Sequence, residues 1–163
     1  MLFRSVERIA ACLPDGYQLA VKEHPNPIHP IPINWTRTIS KIPRVVLVPT
    51  QVNAHDLIKG AAAIVTVSSD VGWEALAYGK PVVSLNRPWW GRRGLSADSL
   101  DWSDLPGCLA KVLDPSWSVD RERFLCLVNA MYRSVQPHPF LGDHSDPAGF
   151  LEALDAGLER LFR

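Results

Sequence analysis

Several signals that would place a chain quickly are missing from these 163 residues. There is no charge of one sign: Lys and Arg number 17, as do Asp and Glu, so the formal net charge is zero. A nucleic-acid binder draws on a basic excess to neutralise phosphates, and none is present. A small anionic ligand stays open, because a pocket can be positive on a neutral protein. No apolar run approaches the ~20 residues that a membrane-spanning helix needs. The opening MLFRSVERIA holds no continuous apolar segment of the secretory kind, which reads as a cytoplasmic protein. The three cysteines, Cys12, Cys108 and Cys126, lie far apart and form no Cys-x-x-Cys pair. They read as buried thiols in a reducing compartment, not as a disulfide or zinc framework. No phosphate-binding P-loop occurs, since Gly79-Lys80 runs into Pro81. Nor does a Gly-x-Gly-x-x-Gly follow the first apolar run, which disfavours a dinucleotide site.

What is present is ordinary globular material. Hydrophobic residues make up 47% and charged residues 21%, so the chain can bury a core and is not disordered throughout. Leu2, Val6, Ile9, Ala10 and Leu13 fall at helical spacing, and Pro14-Asp15-Gly16 ends that run. Apolar stretches at 17–23, 44–49, 62–67 and 81–85 read as strands covered on both faces. Residues 26–33 are too rich in proline for helix or central strand. Residues 34–41 form a short helix or a loop. A helix follows Asn53, its candidate N-cap, and stops at Gly60. Another spans 71–79, and 101–114, 120–134 and 147–162 complete the helices, the last with Leu151, Leu154, Leu158 and Leu161 on one face. Strand–helix alternation of this kind predicts an α/β fold with a doubly wound parallel sheet and a helical C-terminal region.

In such a sheet, ligands bind beyond the carboxyl ends of the strands. The third strand ends in Ser68-Ser69-Asp70 and a helix begins at once. Its N-terminus offers free N–H groups and a partial positive charge suited to phosphate, and the serines add hydroxyl donors. Gly72 would let a ligand or a neighbouring backbone approach closely. The plainer reading is that Ser69 or Asp70 caps the helix. Glu74 argues for more. Three residues before it stands Val71, so it is no capping-box glutamate. It is the one charged residue in a segment of Val, Gly, Trp, Ala, Leu and Tyr, and must be solvated or hold a partner. A carboxylate repels phosphate, so its expected partner is the hydroxyls of a ribose or sugar.

The turn KEHPNPIHP (22–30) leaves the first strand at the same sheet edge. There His24 can donate to a phosphate that the Ser68-Ser69 helix also holds. A histidine that merely sits beside a proline is the bland alternative. In the loop NRPWWGRRGLS, Trp89 and Trp90 are unlike candidates for joint burial, and Arg87, Arg92 and Arg93 either meet an anionic group or form a solvated basic loop. His29 and His55 read as surface residues. His138, Asp143, His144 and Asp146 fit no metal-ligand spacing and read as turn chemistry.

Taken together, KEHPNP, TVSSDVGWEALAYGKPVVSLN, the aromatic pair and GRRGLS resemble the capsule polysaccharide biosynthesis family, glycosyltransferases that include β-Kdo transferases. The similarity runs over roughly residues 17–96. It implies the nucleotide-binding C-terminal half of a GT-B glycosyltransferase, Rossmann-like. The core would occupy 1–115, with C-terminal helices over 116–163 packed on the same domain. By the same resemblance, His24, Pro25, Ser68 and Ser69 contact the donor phosphate and Glu74 its ribose or sugar. Lys22, Arg87, Trp89 and Arg92 are further loop contacts, and VPTQVNAHDL lies where the nucleobase is held. The implied donor is a nucleotide-activated sugar of the CMP-Kdo type and the acceptor a saccharide or glycolipid. No metal or other cofactor is expected, and peripheral association with the inner membrane is. Catalytic groups are expected in an N-terminal GT-B domain of the same or another chain, so activity of this chain alone is uncertain. Two other readings stand beside it: a UDP-N-acetylglucosamine 2-epimerase-like fragment, and a non-catalytic scaffold derived from a transferase.

Overall fold

The structure is a computed structural model that describes residues 2–23 and 32–134. His24, Pro25, His29, the 138–146 group and the expected 147–162 helix lie outside the described residues. The chain divides into two units, Met1–Asp120 and Arg121–Arg163. In the first, the order is α1 (Leu2–Cys12), β1 (Leu19–Lys22), α2 (Ile33–Ile39), β2 (Val45–Val48), α3 (Ala54–Gly60), β3 (Ile64–Thr66), α4 (Asp70–Ala77), β4 (Val82–Ser84), β5 (Ala97–Asp98) and α5 (Leu105–Leu113). The described part of the second unit is α6 (Arg121–Ser134), where the Arg121 guanidinium lies 5.4 Å from the Phe124 ring centroid. Among the described residues no helix is long and apolar enough to cross a membrane.

All strand pairs are parallel, as the α/β reading requires. Leu19 to Lys22 of β1 match Val45 to Val48 of β2; Ile64 to Thr66 of β3 match Val82 to Ser84 of β4; and Val83 and Ser84 match Ala97 and Asp98 of β5. The pairs form two sheets, β1-β2 and β3-β4-β5, not one continuous sheet. One edge of β3 is committed to the β4 side, through Ile64 N–H to Pro81 O and Leu85 N–H to Thr66 O, both 2.8 Å. Its other edge does not pair with β1.

Side chains alternate across a strand, and here the alternation sorts the helices onto two faces. Leu19, Ala63, Val65, Val83, Leu85 and Ala97 pack with Ile9 of α1 and with Leu105, Leu109 and Val112 of α5. On the opposite face Val82 and Thr66 are buried together with Ala75 and Leu76 of α4, which packs on β3, β4 and α3. Every residue of β4 is buried, as a central strand covered on both sides must be.

Two elements differ from the sequence reading. The strand β5 sits in GLSADS, where no apolar run announces it, because two residues suffice to extend the edge of β4. The helix expected from 101 begins at Leu105. Asp101 Oδ1 accepts from both the N–H and the hydroxyl of Ser103 at 2.9 Å, a local turn that competes with helix. Those two bonds hold the Asp101 carboxyl below its usual range. Arg44, which has a φ of 65°, closes the C-terminus of α1 from a distance: its guanidinium donates to Ala10 O at 3.0 Å and Leu13 O at 2.8 Å. No basic residue occupies the last turn of α1, so Arg44 supplies the charge that its carbonyl end favours.

The two adjacent tryptophans part company as expected: Trp90 is fully buried and Trp89 is 45% exposed. Trp90 also corrects the reading of Gly72. A Cβ at Gly72 would overlap the six-membered ring of Trp90 and come within 2.9 Å of Thr66 Cγ2. The glycine admits an indole, and α4 closes over it. Trp90 Nε1–H is buried with no acceptor among the described residues, a loss of about 1–3 kcal/mol that the ring's packing has to offset. Gly72→Ala is expected to destabilise by about 1–3 kcal/mol, the usual consequence of overpacking. Urea denaturation should show the double variant Gly72→Ala/Trp90→Phe less destabilised than the sum of the singles; strict additivity would place the clash elsewhere.

The cysteines are not all buried. Cys12 and Cys108 are half-buried and Cys126, on α6, is exposed. Burial, with Asp104 and Asp98 adding, pushes the Cys108 thiol up from its ordinary value, so it stays protonated at neutral pH. With a thiol-alkylating reagent at neutral pH, Cys126 is expected to react before Cys108. Peptide mapping should then show the lag of Cys108 narrowing as the pH rises.

Candidate functional site

The chain passes from β1 to β2 in one sheet and from β3 through β4 to β5 in the other. Ligands of open α/β folds settle beyond the carboxyl ends of the strands. A cleft of about 480 Å³ lies there, walled by β1 from Leu19 to Lys22, by Val65, Thr66 and Val67 at the end of β3, and by Ser68 and Ser69. Ser5, Val6 and Ile9 of α1 close its apolar side. Its size falls in the range of small-molecule sites.

The serine end is built by two hydrogen bonds. Thr66, buried at the end of β3, uses its Oγ1 to accept from the Ser69 N–H at 3.2 Å. Ser69 Oγ in turn accepts from the Val71 N–H at 3.3 Å and is the N-cap of α4. The capping reading of Ser69 therefore holds. Its hydroxyl proton remains available to a ligand, because capping uses only the oxygen as acceptor. Ser68 is exposed and its hydroxyl has no partner among the described residues. Thr66 was not singled out from sequence, although a lone hydroxyl closing the run AAIVTV is the signal that could have done so.

Lys22 reaches the same cleft, but its ammonium is occupied. Nζ donates to Thr50 O at 3.1 Å and Glu23 O at 3.2 Å, clasping the exit of β1 to that of β2. It contributes positive potential at the mouth while acting as a strut. Beside that clasp, Val21, Thr36, Leu47, Pro49 and Thr50 bound a smaller hollow of about 270 Å³. Val48, Pro49 and Thr50, the start of VPTQVNAHDL, line this hollow. Asn53 caps α3 as expected, its side chain accepting from His55 N–H at 2.8 Å.

Other candidates lie apart from the cleft. Glu74 is half-buried on α4, one turn beyond Asp70, does not line the cleft, and its carboxylate has no partner among the described residues. Asp70 itself stands exposed in the first turn of α4, a carboxylate where an anion would dock. Arg87, Trp89 and Arg92 are exposed on the loop after β4. Arg92 lines a separate hollow of about 630 Å³ with Asp98, Cys108 and Lys111. There Asp98 Oδ2 accepts from the Arg92 N–H and Oδ1 from the Ser96 hydroxyl, both at 2.8 Å. Among the described residues no group of three His, Cys, Asp or Glu could hold a metal.

With this geometry in place, comparison with known families is decisive for one point. The profile of the capsule polysaccharide biosynthesis protein family matches residues 3–103. The chain belongs to that family. As a capsule polysaccharide biosynthesis protein, its matched span runs from α1 through the arginine-bearing loop and takes in Lys22, Ser68, Ser69, Glu74, Trp89 and Arg92. No curated protein and no solved structure matches the chain.

The two serines should differ in what their loss does to this capsule-family fold. Ser69→Ala is expected to destabilise by about 1 kcal/mol through the lost cap, and Ser69→Gly by only a few tenths. Ser68→Ala should stay within about 0.5 kcal/mol of the parent. Chemical denaturation of the three variants checks the ranking.

Proposed function

We propose that the chain is the nucleotide-sugar-binding domain of a capsule or surface polysaccharide glycosyltransferase. The observation that carries this reading is the cleft between β1 and the end of β3, with Ser68, Ser69 and the N-terminus of α4 at one end, in a member of a capsule biosynthesis family. The donor phosphate sits at the α4 terminus, where the serine hydroxyls and first-turn N–H groups donate to it, and His24 and Pro25 complete the site. The Lys22 ammonium adds positive field. The small hollow at the β2 exit takes the base. Glu74, one turn into α4 and outside the cleft wall, is assigned to hydroxyls of the ribose or sugar that extend beyond the cleft along α4.

Such a site acts on the leaving group. As the bond from sugar to phosphate breaks, negative charge grows on the nucleotide, and donors already fixed around the phosphate stabilise it with little reorganisation. The helix terminus and hydroxyls do this work here, so the reading requires no metal. The resemblance in sequence favours a CMP-Kdo-type donor. The acceptor is a saccharide or glycolipid, and the catalytic acid or base comes from an N-terminal GT-B domain. Attachment of the assembled enzyme to the inner membrane is peripheral.

Calorimetric titration of the chain with CMP, CDP, UDP and GDP, with and without magnesium, tests the proposal. One nucleotide should bind saturably, and equally well without magnesium. Glu74→Gln should weaken that binding about tenfold without lowering the melting temperature, as a ligand contact and not a packing residue does. Asp70→Asn should tighten it about two- to fivefold, because the exposed carboxylate competes with phosphate for the positive end of α4. Absence of binding by all four nucleotides, or binding that Asp70→Asn weakens, would contradict the reading.

A further inference from the structure

The loop after β4 holds one tryptophan outward on a frame that is rigid by construction. Trp90 anchors it, fully buried beneath Gly72. Gly91 N–H donates to Pro88 O at 2.9 Å, and a Cβ at Gly91 would come within 3.0 Å of Pro88 Cδ, so the turn is closed tightly. Arg92 takes a φ of 55°, a left-handed conformation that a non-glycine residue adopts only when its surroundings impose it. The imposing contact is its own N–H, held by Asp98 Oδ2 at 2.8 Å. Arg93 Nε donates to Trp89 O at 3.1 Å and fixes the next carbonyl. Trp89, between these restraints, is 45% exposed, and its ring leans on Trp73 of α4 with centroids 4.8 Å apart at 52°.

The loop that carries Trp89 is basic, whereas Trp73 stands on α4 between the carboxylates of Asp70 and Glu74. Residues 85–96 contain Arg87, Arg92 and Arg93 and no acid. The nearby Asp98 carboxylate spends its oxygens on a backbone N–H and the Ser96 hydroxyl, and the guanidinium groups of Arg87 and Arg92 have no partner among the described residues. An aromatic face carries partial negative charge and attracts the polarised C–H groups of a sugar ring laid on it. Guanidinium groups on the same loop can pair with carboxylates in planar, two-point geometry.

We propose that Trp89, braced by Trp73 and carried on the same short loop as Arg87 and Arg92, is a stacking platform for the acidic sugar rings of the acceptor. Naming the saccharide as acceptor rests on the transferase reading. The platform itself does not overlap the donor site, since Trp89 lines neither the serine cleft nor the hollow at the β2 exit. Fixing the backbone of 88–93 before the ligand arrives removes much of the ordering entropy that a mobile loop would lose on binding.

The test follows the Trp89 indole N–H by ¹H–¹⁵N correlation, assigned with Trp89→Ala. The probes are an α2,8-linked sialic acid tetramer, a tetragalacturonate, neutral maltotetraose, and vesicles of phosphatidylglycerol. At least one acidic tetrasaccharide should shift the Trp89 resonance saturably, at about millimolar concentration. Trp89→Ala should weaken that binding about tenfold, followed on the remaining indole signals. Arg92→Gln should narrow the preference for acidic over neutral sugar. No shift with either acidic tetramer, equal shifts with maltotetraose, or a shift caused only by the vesicles would overturn the proposal. Nucleotide titration of the parent chain separates the two ideas. Nucleotide binding without acidic-sugar binding removes the platform and keeps the donor reading; the reverse keeps a saccharide surface and removes the donor reading.

Discussion

Much of the first unit depends on the contact between Trp90 and the place where Gly72 has no side chain. The indole reaches under α4 only because that position is glycine, and Thr66 completes the fit from the strand side. Thr66 has two jobs in this arrangement. Its methyl lies against the same spot, while its hydroxyl accepts from the Ser69 N–H and so sets the start of α4. One packing event thereby fixes the helix terminus at the cleft and the loop that carries Trp89. A larger residue at 72 would disturb both at once.

The division of the strands into two sheets has a functional side. A continuous sheet would fill the space between β1 and β3 with ladder hydrogen bonds. Here that space is a cleft whose walls are strand and whose end is a helix terminus, with Lys22 bridging the exits of β1 and β2. Among the described residues charge in the cleft is modest: one ammonium tied to carbonyls, hydroxyls, and a helix end whose field is partly cancelled by Asp70. On the proposed reading, such a site suits a nucleotide that has to leave after its sugar has gone. Very tight phosphate binding would slow that release.

What could be read from sequence follows the physics of each element. The apolar runs at 44–49, 62–67 and 81–85 were legible because strands buried on both faces need such residues continuously. Asn53 was legible as a cap because its chemistry is local. The strand at Ala97–Asp98 was not, since it pairs with Val83 and Ser84, fourteen positions earlier, and edge pairing needs no hydrophobic run. Gly72 was read as room for a ligand. A glycine's neighbour is a tertiary fact, and sequence alone could not say that the neighbour is an indole from the next loop. Arg44 escaped notice for the same reason, as it serves carbonyls more than thirty positions away. Of the candidate site, Ser68, Ser69 and Lys22 do share one cleft. The cause is topological: in parallel strands all carboxyl ends open on one edge. Glu74 and the arginine loop stand elsewhere because helix phase and loop path decide them.

The central claim is that a nucleotide phosphate docks on the N-terminus of α4. Backbone amide ¹H–¹⁵N shifts on titration with CMP address it most directly. The account predicts the largest changes at Ser68 to Gly72, with smaller ones at Lys22, Glu23 and Thr50. Changes centred on Arg92, Ser96 and Asp98, with Ser68 to Gly72 unmoved, would contradict it.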